Sequence, residues 1–553
     1  MDDKLFIIAI GGTGMRCLES FVHLCAAGMF DNKTIDILTI DTDYANGNKS
    51  RVEQLIGLYN NVKSDNGNDS GGSPRSNTFF SAKLNLYRFA TDYFSERRQT
   101  YRDLTDVHYL SQEKRDANKD LSNLFFDADA VQKFKLDHGY RAQTHLGSLL
   151  MYHGIIEAAL KVKRGSDDVQ DHERELTDFL QLINDNSAGA RVFVFGSVFG
   201  GTGASSIPVI PLALADALKI ITTGNNDLNF NTVKFGSTLL TNYFKFDMPD
   251  DQQLSSAKVI ADANNFALNS QAAMAFYDQD PTVQKRYKML YHIGWPSDMR
   301  ADYSQPQNGE VVTGGGDQKN DCHVVELMSA AAAYDFFTQD DLSNQQAKFV
   351  YRSVEESTPN ALRLTGASFV GKDGPIFEER LGSLLSLSHL ILSKNEGWKE
   401  GQNGTLNFLH DLSSRNMHDY DDVEDEQARD LSLYLQEFAY KFHNGNFIPG
   451  WLHQVNKSIK PGSFLFSPEA LSDNPNTIRN VDPGAIYNDD RYNWKGGLFR
   501  TTPENRYDNF ISVLTGKTAL PTPEQGATNK ERLLGHLFNA IQRSQKTQHQ
   551  TQG

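Results

Sequence analysis

Two stretches of the chain carry the same four residues in the same setting. In "LFIIAIGGTGMRCLESF" an apolar run enters Gly11, Gly12, Thr13 and Gly14 and leaves in a helical pattern. In "VFVFGSVFGGTGASSIPVI" a second apolar run enters Gly200, Gly201, Thr202 and Gly203, again ahead of an apolar helix. Glycine after a buried strand lets the backbone turn tightly and aim several N–H groups at one anion, and a helix N-terminus adds its positive dipole end. One such loop reads equally as a plain strand-to-helix turn. Two in one chain point to phosphate binding in which backbone amides are the ligands.

The glycine pattern separates classes of nucleotide site. A P-loop needs a Lys after its last glycine, and neither loop has one. A dinucleotide fingerprint needs GxGxxG, and "GGTGMRC" offers Gly12 and Gly14 but Cys17 in the third place. An NAD(P)-dependent oxidoreductase is therefore the alternative from another class, although it does not predict the second loop and no catalytic dyad accompanies it.

These loops need a sheet to hold them. "KLFIIAI", "TIDILTIDTD", "ARVFVFGSV", "TVKFGSTLLTNYFKF" and "RYKMLYHIGW" are short apolar runs of the kind that form buried parallel strands. Helical spacing separates them: Met15, Leu18, Phe21, Val22 and Cys25, then "THLGSLLMYHGIIEAALKVK", "DDVQDHERELTDFLQLIND", "IPVIPLALADALKII", "SSAKVIADANNFALNSQAAMAFYDQ" and "NDCHVVELMSAAAAYDFFT". The alternation predicts an α/β fold with a doubly wound, mainly parallel sheet whose ligands bind at the carboxyl ends of the strands. Residues 50–136 read as a large insertion: a polar loop over 63–77, then a mostly helical, aromatic and charged stretch over 79–136. Past residue 340 the alternation weakens, which predicts an α+β C-terminal domain over 341–535 and a disordered tail over 536–553.

At 553 residues, with 39% hydrophobic and 22% charged residues, the chain has the composition of a soluble globular protein of two to three domains. A net charge of −16 argues against nucleic acid as a partner. Cys17, Cys25 and Cys322 form no CxxC, which suits a reducing compartment and no metal site. His323 and Glu326, one helical turn apart, have no third ligand and read as a core or surface pair. The longest apolar stretch contains two prolines, Asp216 and Lys219, so no membrane span is expected. The acidic opening "MDDK" is unlike a signal peptide, and the expected location is cytoplasmic.

In their order these motifs resemble the tubulin and FtsZ GTPase superfamily, as a divergent bacterial tubulin-like protein. "FVFGSVFGGTGASSIPVI" is similar to the family signature GGGTG[ST]G, and "AIGGTGMR" to its first phosphate loop. "LTIDTDYANGNKS" resembles the strand and loop ending in Asn-Thr-Asp, and "DHGYRAQTHLGSLL" the loop of form GxGxNPxxG. "GGGDQKNDCHVVELMSAAAAYDFF" falls where the family has its core helix, expected here over 320–338. The likeness spans about residues 1–340. Phe199 stands in place of the first signature glycine, and Ala204 and Ser205 replace its last polar-Gly pair.

The resemblance implies GTP or GDP with Mg²⁺, the phosphates held by both GGTG loops. It places Asp41 and Asp43 toward ribose or Mg²⁺, Gln143 and Thr144 near the γ-phosphate, and Asn320 on the guanine. Ordinary roles stay open beside these: a solvated turn for Asp41 and Asp43, a helix cap for Thr144 and Asn320. The resemblance also implies head-to-tail self-association into filaments, with an acidic loop after the core helix completing the neighbour's site and slow GTP hydrolysis following assembly. "TQDDLSNQQAKF" supplies Asp340 and Asp341 for that role, departing from the family form NxDxxD, and equally reads as a polar helix end. A nucleotide-sensing scaffold that binds GTP and a protein partner through its C-terminal region is the alternative. The acidic run over 415–430 reads as a solvated surface, with a partner site as the alternative.

Overall fold

A computed structural model of the chain describes residues 4–42, 46–64, 72–91, 100–105, 111–134, 136, 140, 144–222, 232–245, 266–297, 300–302, 320–352, 363–459, 464–488, 506–515 and 528–546. Its strands are β1 (Lys4–Ile10), β2 (Thr34–Asp41), β3 (Lys83–Ala90), β4 (Ala190–Phe195), β5 (Lys234–Leu240), β6 (Phe244–Lys245), β7 (Tyr287–Ile293), β8 (Ala301–Asp302) and β9 (Lys348–Arg352). Seven of them form one all-parallel sheet in the order β3-β2-β1-β4-β5-β7-β9, and β6 pairs with β8 alone. The central strands are apolar throughout because both faces are covered. In β1, Leu5, Ile7 and Ala9 enter one core while Phe6, Ile8 and Ile10 enter the other.

Helices cover both faces, as a doubly wound sheet requires. The first face holds α1 (Gly11–Ala26), α2 (Gly47–Lys63) and the core helix Val324–Thr338. Between β3 and the next crossover lie α3 (Tyr101–Thr105), α4 (Gln112–Phe125) and α5 (Ala128–Lys133). The second face holds α6 (Thr144–Arg164), α7 (Asp171–Asp185), α9 (Ile210–Ile221), and the helices Phe266–Gln279 and Pro281–Arg286; the short α8 (Thr202–Ser206) precedes α9. Crossovers that step from β1 toward β3 run on the first face, and those that step from β4 toward β7 on the second. The last one steps the same way from β7 to β9 but carries the core helix on the first face, so it has the opposite hand.

Several expectations are corrected here. The stretch 50–136 is not one insertion: α2 and β3 are an ordinary crossover and sheet strand, leaving only α3, α4 and α5 as an excursion. The boundary expected after residue 340 cuts through the sheet, since β9 pairs with β7. The chain beyond β9 is mainly helical, its β content limited among the described residues to the hairpin Tyr440–His443 with Asn446–Pro449 and isolated bridge residues at Arg363, Phe466 and Tyr487. Nor does this region stand apart, because its helices share a single core with α1, α2 and the core helix. Trp451 Nε1 donates to Ser20 Oγ at 3.0 Å, and the Trp451 ring lies 4.8 Å from His23 of α1. The expected tail begins inside the helix Asn529–Lys546, where Leu537, Phe538 and Ile541 are buried and Glu531 pairs with Arg75 through two hydrogen bonds. The acidic run over 415–430 leads into the helix Asp425–Phe438. Among the described residues, no helix is long and apolar enough to cross a membrane.

Candidate functional site

β1 and β4 are neighbours, yet their chains depart in opposite directions: β1 through α1 to β2, β4 through α8 and α9 to β5. A doubly wound sheet opens its ligand crevice at such a switch point, outside the carboxyl ends of the strands. Both GGTG loops stand there. A Cβ built on Gly11 would lie 3.1 Å from Thr202 Cβ, so the two loops touch.

The eight loop residues divide by what surrounds them. Gly11 starts α1 at φ +65°, a conformation that favours glycine. A Cβ on Gly14 would meet Phe195 O at 2.6 Å, and one on Gly203 would meet Ser197 N at 2.9 Å. Gly11, Gly14, Thr202 and Gly203 are buried and their glycines are explained by close packing. Gly12, Thr13, Gly200 and Gly201 are half-buried and form the surface of the crevice. Gly201 has φ −84° and ψ −72°, open to any residue, and Gly200 has only Ser197 Oγ at 3.3 Å. At Gly200 a side chain would press on the Ser197 hydroxyl and not on backbone, a looser constraint than at Gly14 or Gly203.

The surroundings fix the second loop firmly. Phe199, where the signature has glycine, is buried between the rings of Tyr243, Phe244 and Phe266 at 5.3–6.3 Å. Ser148 Oγ of α6 donates to Ser205 O at 2.6 Å, and Gly147 makes room for Tyr140 and Ser205. Thr144, the first residue of α6, is thereby carried to the same edge. Asp41 ends β2 and is buried. Asp43 and Gln143 lie outside the described residues.

Asn320, half-buried, precedes the core helix on this edge but does not cap it. The cap is His323, whose Nδ1 accepts from Val325 N, while Glu326 accepts from His323 N at 2.9 Å. That reciprocal cap is the role of the His323 and Glu326 pair.

Sequence reading missed the polar core beneath the loops. Arg16, two residues past Gly14, pairs with the fully buried Glu326 at 2.5 Å and also donates to Asp321 O. Tyr243 Oη donates to the same carboxylate at 2.6 Å. Burial pushes Glu326 above the usual carboxylate range, and Arg16 and Tyr243 pull it back. Beside this pair Arg51 of α2 meets Glu19 at 2.7 Å. The signal was present: Arg16, Glu19 and Glu326 are charged residues set among the apolar residues of two helical stretches.

Asp340 and Asp341 lie at the other end. Arg191, at the start of β4, donates to Phe336 O, Phe337 O and Gln339 O, which fixes the foot of the core helix at the amino edge of the sheet. Both carboxylates are exposed, and Asp341 accepts from Ser343 N at 2.8 Å, an interaction that lowers its pKa. They are separated from the glycine loops by the length of β4, roughly 20 Å. One copy of the chain does not bring the two together. No protein-family model matches the chain, and neither does any curated protein or solved structure.

Proposed function

We propose that the chain is a guanine-nucleotide-binding protein of the tubulin and FtsZ type, associating with itself head to tail and hydrolysing GTP slowly once assembled. The observation that carries this reading is the meeting of two GGTG loops at the switch point, Gly11 against Thr202. Amides of Gly12, Thr13, Gly200 and Gly201 would hold the phosphates, with the N-terminus of the sixteen-residue α1 adding its dipole. Asp41, at the end of β2, and Asn320, ahead of the core helix, would serve ribose and base. Mg²⁺ would offset phosphate charge. The opposite-handed last crossover and the second glycine loop are not what a plain dinucleotide fold supplies, whereas the strand order suits both classes.

Head-to-tail association is the arrangement that would bring the acids to the site. Asp340 and Asp341 can reach a phosphate only if the amino edge of one copy meets the carboxyl edge of the next, a contact that repeats without closing.

Equilibrium titration with GTP, GDP, ATP and NAD tests the reading, with Gly201→Val beside the wild type. The expected result is binding of GTP and GDP, weakened at least about tenfold by the substitution. Binding of NAD in their place would move the protein to the oxidoreductases, and binding of none would leave the loops as turns. Sedimentation with GTP then separates filament from scaffold.

A further inference from the structure

The excursion between β3 and α6 presents a helix, α4, that is largely exposed among the described residues. Along α4 only Ser122 is buried. Its last turns nevertheless carry Leu121, Leu124 and Phe125 at 57%, 77% and 69% exposure. Spacing of three and four residues puts these on one face, which continues backward through Ala117 and Lys114. The resulting rhythm of Lys114, Ala117, Leu121 and Leu124 is that of a helix packed along a second helix.

Two properties select a second copy of this chain as the occupant. Glu113, Asp116 and Asp120 are matched by Lys114, Arg115 and Lys119, so α4 is neutral on a chain of net charge −16. Two copies can approach there without the repulsion that the rest of their surfaces would bring. The face is also self-complementary. An antiparallel pair centred on Leu121 sets the small Ala117 of one copy against the bulky Phe125 of the other, twice by symmetry. We infer that α4 is a self-association element through which two copies pair by this antiparallel contact, without need of nucleotide. The three large side chains expose on the order of 400 Å² per copy, about 800 Å² for the pair, below the 1,200–2,000 Å² typical of a stable complex. The dimer is therefore weak and reversible.

Sedimentation velocity of the full, nucleotide-free chain over about a hundredfold range of concentration tests this. The average mass should climb from 61.9 kDa toward twice that value. Leu121→Asp should hold the chain monomeric with its unfolding temperature unchanged, because the position is exposed. Ala117→Phe adds apolar surface yet should weaken pairing at least severalfold, and adding Phe125→Ala to it should restore pairing. A wild type that stays monomeric, a Leu121→Asp chain that pairs like the wild type, or an Ala117→Phe chain that pairs more tightly would each overturn the inference. Nucleotide affinity, measured on the same variants, should not change, so this inference and the nucleotide reading fail separately.

Discussion

In the first GGTG loop the tetrapeptide is already helix, since α1 begins at Gly11. Gly11 supplies a positive φ, and Gly14 lets the first turn lie against the end of β4. In the second loop Gly200 and Gly201 precede the helix, and Gly201 has an ordinary φ. The first loop leads onto the face shared with the C-terminal helices, and the second onto the face closed by α6, α7 and α9. The same four letters thus meet different demands. Packing dictates glycine at Gly11 and Gly14 of the first loop and at Gly203 of the second, whereas Gly200 and Gly201 lie at the crevice ahead of their helix.

One substitution made in both loops should separate these demands. Gly14→Val drives a side chain into Phe195 O and Ala9, and the expected loss of stability is about 3 kcal/mol or more, read by denaturant unfolding. Gly201→Val should leave the unfolding curve in place while nucleotide affinity falls. Equal stability losses in the two variants would erase the distinction.

Acid should act on the faces unequally. Every buried histidine among the described residues, His23, His323, His389, His453 and His536, belongs to the first face or the helices packed on it. Burial pushes His323 and His389 down to about 3 and His453 to about 4, and holds His23 well below its ordinary value. Neighbouring charge adds to this, from Arg16 at His323 and from Arg51 at His23. The unfolded chain binds these protons near pH 6.5 and the folded chain does not. Their contribution is therefore complete above that pH and is lost as pH falls toward 3–4, at up to about 1.4 kcal/mol per pH unit for each histidine. Unfolding midpoints measured from pH 7 to 5 should fall steeply, and amides of α1 and the core helix should lose exchange protection before those of α6 and α9. The smallest effect belongs to Gly11→Ala, about 1 kcal/mol for a side chain at φ +65°.

How much could be read from the sequence tracks how local the cause is. β1, β2, β4, β5 and β7 are apolar runs whose burial is written in their own residues. β3, "KLNLYRFA", is an edge strand with a half-exposed pattern, and its residues resemble those of a polar excursion. β9, "KFVYR", is five residues long and belongs to the sheet only through its pairing with β7. The C-terminal helices read as a separate domain because contacts such as Trp451 with Ser20 join residues far apart in the chain. At the site, the glycine loops were legible and their division of labour was not. Which glycine is pressed by Phe195 and which faces the crevice depends on the packing of β1 against β4.

The most direct test of the two-loop site is hydrogen–deuterium exchange with and without GTP, followed at the amides of residues 11–14 and 199–203. If both loops hold the phosphates, nucleotide slows exchange in the two together. Protection confined to the first loop, or to neither, would contradict a shared site.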